Sequence, residues 1–137
     1  MIAETINGSL AADLPCCGVF AVAKACNVSV ETAFNWLRDH LRKPKNWKGR
    51  TYLSERIALL NRFAPHYHAA AIPRRVTLKA WAKRYAKWNQ TYVVDVRGHS
   101  MHYCNGVITD QYGVKAVGEH GKARSFVRGA FCVLVRS

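Results

Sequence analysis

No apolar run in this 137-residue chain approaches the roughly 20 residues that a membrane-spanning helix requires, so the sequence offers no span. Acidic residues are scarce: 8 Asp and Glu face 21 Lys and Arg, which gives a net charge of +13. There is no C-x-x-C pair. The five cysteines (Cys16, Cys17, Cys26, Cys104, Cys132) are odd in number and two are adjacent, which argues against both a disulfide framework and a structural zinc site. Met1-Ile2-Ala3-Glu4-Thr5 has neither a basic flank nor a hydrophobic core, so no signal peptide is expected, and free thiols fit a reduced cytoplasm. Internal repeats, low-complexity tracts and linkers are also missing.

What is there is an ordinary globular composition, 50% apolar or aromatic and 21% charged, at a length that fits one domain with a core of its own. The charge excess points to acidic partners: an acidic protein substrate or partner, or nucleic acid held on a basic surface. Basic residues concentrate in the loop over 42–50 and in the segment over 74–87, with Trp47, Trp81 and Trp88 nearby. If those tryptophans are exposed, they offer stacking platforms for bases; if they are core residues, the face is merely solvated and basic. For 77–88 the core reading is preferred, because Leu78, Trp81, Tyr85 and Trp88 fall on one side of a helix.

The first half reads helical. The spacing predicts a helix over 17–26 stopped at Asn27, and a second one capped by Ser29 with Val30, Phe34, Leu37 and Leu41 in one stripe. A third starts near Thr51 or Ser54, buries Ile57, Leu60 and Phe63, and ends at Pro65. A short strand is expected over 67–72. From Gln90 the period changes to two, with strands over 91–96, 107–109 and 131–135. Helices followed by an antiparallel sheet make an α+β domain, with a helical lobe over about 1–66 and a sheet lobe over about 67–137.

Two segments carry chemistry. In Pro15-Cys16-Cys17-Gly18, a cysteine at the first turn of a helix sits where unpaired N–H groups and the helix dipole favour a thiolate, and a glycine beside it allows a substrate backbone to approach. A buried, inert cysteine is the competing reading. The second segment runs from Gly98-His99 through Asn105-Gly106 to Asp110. With a two-residue turn at Asn105-Gly106, Cys104 faces Val107, Tyr103 faces Ile108 and His102 faces Thr109. His99 and Asp110 then share a face as diagonal neighbours, while His102 points away. A three-residue turn would reverse that parity. A carboxylate beside a histidine fixes its tautomer and stabilises the imidazolium.

C-G-V-F-A-V-A opening a helix resembles the nucleophile segment of papain-like cysteine peptidases. G-H, a strand, N-G and a strand ending in Asp is similar to the His and Asn/Asp segments of small phage and bacterial members. The resemblance implies a papain-like fold with the active site between a helical and a β-lobe, and hydrolysis of an amide or thioester through an acyl-enzyme. Cys17 would be the nucleophile in preference to Cys16, His99 the base and Asp110 its orienting acid, with no cofactor. The implied function is a peptidase or isopeptidase in a cytoplasm, that of the host if the chain is phage-encoded. The alternative is a non-catalytic basic protein on the same fold that engages a host protein or nucleic acid.

The chain departs from the pattern in two places. Ser100, His102 and Cys104 stand where apolar residues are usual, which suggests a less buried face or another role for it. Ala11, Ala12 and Asp13 occupy the stretch where a Gln commonly donates to the oxyanion, so Asn7, Ser9 or the Cys17 N–H would have to serve. His66 and His68 share one strand face without a third ligand, Cys26 and Cys132 read as core, and Asp95 reads as structural.

Overall fold

The computed structural model describes residues 4–134. The chain is α+β. Strands β1 (Thr5–Ile6) and β2 (Ser9–Leu10) form a small hairpin, followed by helices α1 (Cys17–Ala25), α2 (Val30–His40) and α3 (Leu53–Phe63). Strand β3 (His68–Ala69) and helix α4 (Leu78–Arg84) lead into β4 (Thr91–Val96), β5 (His99–Cys104), β6 (Val107–Asp110), β7 (Gly113–Ala116) and β8 (Val127–Val133). The last five strands and β3 build one antiparallel six-stranded sheet in the order β3-β8-β4-β5-β6-β7.

Side-chain alternation along β4, β5 and β8 divides the core in two. Val93 and Val133 point toward α1, whose Val19, Phe20, Val22 and Ala23 pack on them together with Phe34 and Leu37 of α2 and Leu59 and Leu60 of α3. Tyr92, Val94, Met101, Tyr103 and Ile108 point the other way, against Leu78 and Trp81 of α4. The sheet is therefore covered by α1 on one face and α4 on the other. Among the described residues no single helix is long and apolar enough to cross a membrane.

Local rules set several boundaries as expected. Ser29 caps α2 by accepting the Thr32 N–H at 3.0 Å, and Thr77 caps α4 by accepting that of Ala80 at 3.2 Å. Asn27, at φ 57°, stops α1 in the left-handed region. Elsewhere tertiary contacts prevail. Helix α4 ends at Arg84 rather than Trp88, because the Lys87 N–H turns to the Tyr92 hydroxyl and the Asn89 N–H to Asn105 Oδ1. Tyr85 and Trp88 consequently leave the apolar side, and Trp88 is 74% exposed. In α3 the deeply buried residues are Leu59 and Leu60, with Ile57 only half-buried. The strand expected over 67–72 is just β3, an edge strand paired with Cys132 and Phe131. The strand expected over 131–135 begins earlier, at Val127, and its Val135 lies outside the described residues.

Trp81 sits edge-on to Tyr92 and Tyr103, with ring centroids 5.1 and 5.2 Å away. Trp81→Ala is expected to lower unfolding free energy by about 3–5 kcal/mol. Trp88→Ala should change it by less than about 0.5 kcal/mol. Urea titration of the two variants checks this, and equal losses would contradict the assignment of the α4-side core.

Candidate functional site

Two tight turns bring the polar residues of the sheet to one end. Arg97-Gly98 joins β4 to β5 with Val96 opposite His99, and Asn105-Gly106 joins β5 to β6 with Cys104 opposite Val107. Asn105 and Gly106 both adopt positive φ, 49° and 84°, as the primed two-residue hairpin turn requires. Tyr103 therefore faces Ile108 and His102 faces Thr109, the expected parity. It places His99 and Asp110 together: His99 Nε2 lies 2.9 Å from Asp110 Oδ2.

Asp110 is 5% exposed and accepts three hydrogen bonds. Besides His99, the His120 Nε2 stands 2.8 Å from Oδ2, and the Tyr112 N–H donates to Oδ1 at 3.0 Å. His120 Nδ1 accepts the Lys122 N–H at 3.0 Å, so its proton sits on Nε2 and is donated to Asp110. Burial alone would raise the Asp110 carboxyl. The bonds from His99, His120 and Tyr112 outweigh it and hold the group at about 2.

With Nε2 given to Asp110, His99 has Nδ1 for Cys17. The two residues line one cleft of about 390 Å³ together with Pro15, Arg50, Thr51, Arg56, Asp95, Ser100, Gln111 and Tyr112. The Asp110 and Cys17 hydrogen bonds raise His99 to about 9 against some desolvation. Burial would push the Cys17 thiol up. Hydrogen bonds from His99 and the Ser100 backbone, with the charges of His99 and Arg56, more than offset this and hold it below the ordinary 9.0. Cys16 is the opposite case. It is fully buried, its thiol donates to the Ala11 carbonyl, and burial raises it to about 11. Of the two adjacent cysteines, only Cys17 reaches the cleft.

Gly18 has a different use from the one expected. A Cβ there would run into the Arg56 side chain and Thr51 Oγ1, so the space over the glycine is filled by the protein itself and not left for a substrate. Arg56, wedged in this way, donates from Nη1 to the Thr51 carbonyl and from Nη2 to Asp95 Oδ2 at 3.1 Å. Ser100 donates to the other Asp95 oxygen at 2.5 Å. Asp95 thus borders the cleft with both of its oxygens already engaged.

The face carrying Ser100, His102 and Cys104 is less buried than the one carrying Met101 and Tyr103, with His102 and Cys104 only half-buried. Ser100 is inside, and His102 lies against the α1 side, where burial and the Lys24 charge lower it to about 4. Cys26 and Cys132 are core residues. Asn7 and Ser9 do not line the cleft: Asn7 is bonded to Glu31 and Asn35, and Ser9 lies in β2. A glutamine does reach the site, but from the other end of the chain. Gln111, 8% exposed, donates from Nε2 to the carbonyls of Ala11 and Leu14, tying the segment before Cys17 to the β6–β7 turn. Its amide hydrogens are thereby spent.

His120 and Gln111 were missed by sequence reasoning. His120 belongs to no periodic pattern, and only the return of the chain after β7 brings it to Asp110. Gln111 carried one usable signal, its place directly after the strand-ending Asp110. The ligand atoms of His99, Asp110 and His120 lie within 4.8 Å of one another, a set of a kind that can hold a divalent cation. Here they satisfy each other through hydrogen bonds, and Lys115 and Lys122 line the depression beside them.

A carboxyl held below its unfolded-state value stabilises the fold above pH 4, and that contribution is lost as pH falls through about 2. His120→Ala should raise the Asp110 pKa measurably, by roughly one unit, and cost about 1.4 kcal/mol at neutral pH. The difference from wild type should shrink to roughly 0.3 kcal/mol at pH 2 and vanish below it. Side-chain carboxyl NMR with unfolding at both pH values checks this, and an unmoved Asp110 titration would show that the His120 bond does not form in solution. Comparison of the chain with protein-family models, curated proteins and solved structures finds no match.

Proposed function

We propose that this protein is a cysteine hydrolase of the papain-like kind, a peptidase or isopeptidase that works through an acyl-enzyme on Cys17. The observation that carries the reading is the meeting of the Cys17 thiol and the His99 imidazole in one cleft, with His99 held from behind by Asp110 at 2.9 Å.

The chemistry follows from the protonation states. With the thiol lowered and the imidazole raised, the pair rests as thiolate and imidazolium over a window that closes as His99 loses its proton near 9. Cys17 Sγ attacks the substrate carbonyl carbon, and the C=O pair moves onto oxygen. The oxyanion faces the Cys17 N–H, which as the first residue of α1 has no intrahelical acceptor. Collapse expels the leaving amine, which takes the Nδ1 proton of His99. Neutral His99 then deprotonates a water that attacks the thioester, and Cys17 leaves as thiolate, restoring the pair. Asp110 keeps the imidazole oriented and stabilises its charge in each half-reaction without giving up a proton.

Iodoacetamide labelling of Cys17 against pH tests the reading. Wild type should label fast with an apparent pKa below 9.0, and His99→Ala should raise that pKa and slow labelling at pH 6 by at least about tenfold. Asp110→Ala should fall between the two. Slow labelling with an ordinary thiol pKa, unchanged in the variants, would refute the hydrolase and leave a binding protein with a buried hydrogen-bonded cluster.

A further inference from the structure

The acyl chemistry uses the charge of Arg56 but makes no use of Arg50, Lys115 or Lys122. Asp95 is the only carboxylate lining the cleft, and both of its oxygens are taken, one by Arg56 and the other by Ser100. Asp95 thus offsets Arg56 and leaves Arg50 without a counterion. Arg50 is exposed and has no hydrogen-bond or ion-pair partner among the described residues. Its backbone is nevertheless fixed on both sides. Gly49, at φ 101°, is pressed so closely on Cys16 and Phe34 that a Cβ would stand 2.8 Å from each. Thr51 is held through its carbonyl and hydroxyl by Arg56. A rooted arginine with an unengaged guanidinium therefore stands on the wall of the cleft that holds the nucleophile. Beyond His99 the positive lining continues. The depression that shares His99 and Tyr112 with the cleft contains Lys115 and Lys122, and its one carboxylate, Asp110, is already taken by two histidines.

We propose that the cleft binds an acidic protein segment, with an Asp or Glu next to the scissile bond seated on Arg50 and further carboxylates passing over Lys115 and Lys122. The identity of the reacting bond rests on the hydrolase reading; the anion site does not. A planar guanidinium matches a carboxylate through two parallel N–H···O bonds. The net charge of +13 steers acidic chains toward the molecule as a whole. A phosphate would satisfy the same guanidinium, but a nucleic acid brings no acyl group to Cys17. The cleft also has a single aromatic, Tyr112, ring-stacked beside His99 at 6.1 Å, where single-stranded binding uses successive platforms.

Iodoacetate and iodoacetamide share size and leaving group and differ in charge, so the ratio of their rates at Cys17 reads the local field. At low salt that ratio should exceed the ratio for free cysteine by about tenfold and fall as salt is added. Because imidazolium His99 also attracts iodoacetate, the deciding comparison is Arg50→Gln, which should lower the ratio at least threefold. A ratio equal to that of free cysteine, or unchanged in Arg50→Gln, would overturn the proposal. In a second measurement, a ten-residue Glu-rich peptide should protect Cys17 from iodoacetamide and a Lys-rich one should not. Better protection by a single-stranded oligonucleotide of equal charge would overturn the choice of a protein segment. The two readings fail separately. Slow iodoacetamide labelling with a high ratio refutes the hydrolase and supports the anion site, whereas fast labelling with the free-cysteine ratio does the reverse.

Discussion

The structure of the site depends on a two-residue turn. Asn105 and Gly106 fix the register of β5 against β6, and in a period-two element a slip of one residue would send every side chain to the opposite face. His99 and Asp110 would part, and the buried Ile108 of β6 would be turned away from α4. The same register therefore serves the core on one side of the sheet and the hydrogen bond at its end. Asn89 reinforces the turn from outside: its N–H donates to Asn105 Oδ1, and its own Oδ1 accepts from Asn105 Nδ2.

A second constraint brings Cys17 to that pair. Helix α1 lies across the sheet with its first residue at the strand ends, and two long-range ties hold the start of the helix there. Gln111 pins the carbonyls of Ala11 and Leu14 to the turn after Asp110. Arg56 packs over Gly18 and joins Asp95 of β4. Both ties reach the sheet side of the molecule and fix the position of Cys17 relative to His99. They leave the thiol paired with the imidazole in the cleft and Arg50 unengaged beside them.

What could be read from the sequence followed the range of the forces involved. The hairpin, the choice of His99 over His102, the Ser29 cap and the opening of α1 at Cys17 all come from interactions within a few residues, where turn chemistry and periodicity decide. The full length assigned to α4 did not hold, because Lys87 and Asn89 leave the helical path for Tyr92 and Asn105. The meeting of His120 with Asp110, the ties of Gln111 to Ala11 and Leu14, and the Arg56–Asp95 pair were not legible for the same reason, since each depends on how the chain returns on itself. The Gln sought just before Cys17 illustrates the point: a glutamine does contact that segment, from 97 residues away.

Electrical coupling between Cys17 and His99 is reciprocal, so it can be read from either partner. The most direct measurement is the NMR titration of the His99 imidazole in wild type and in Cys17→Ala. The expected wild-type value is near 9 and falls when the thiolate is removed, while remaining above 6.5 because Asp110 still holds the ring. The same His99 titration in both proteins would contradict the coupling: the histidine would then belong to Asp110 alone, and Cys17 would be a bystander in its cleft.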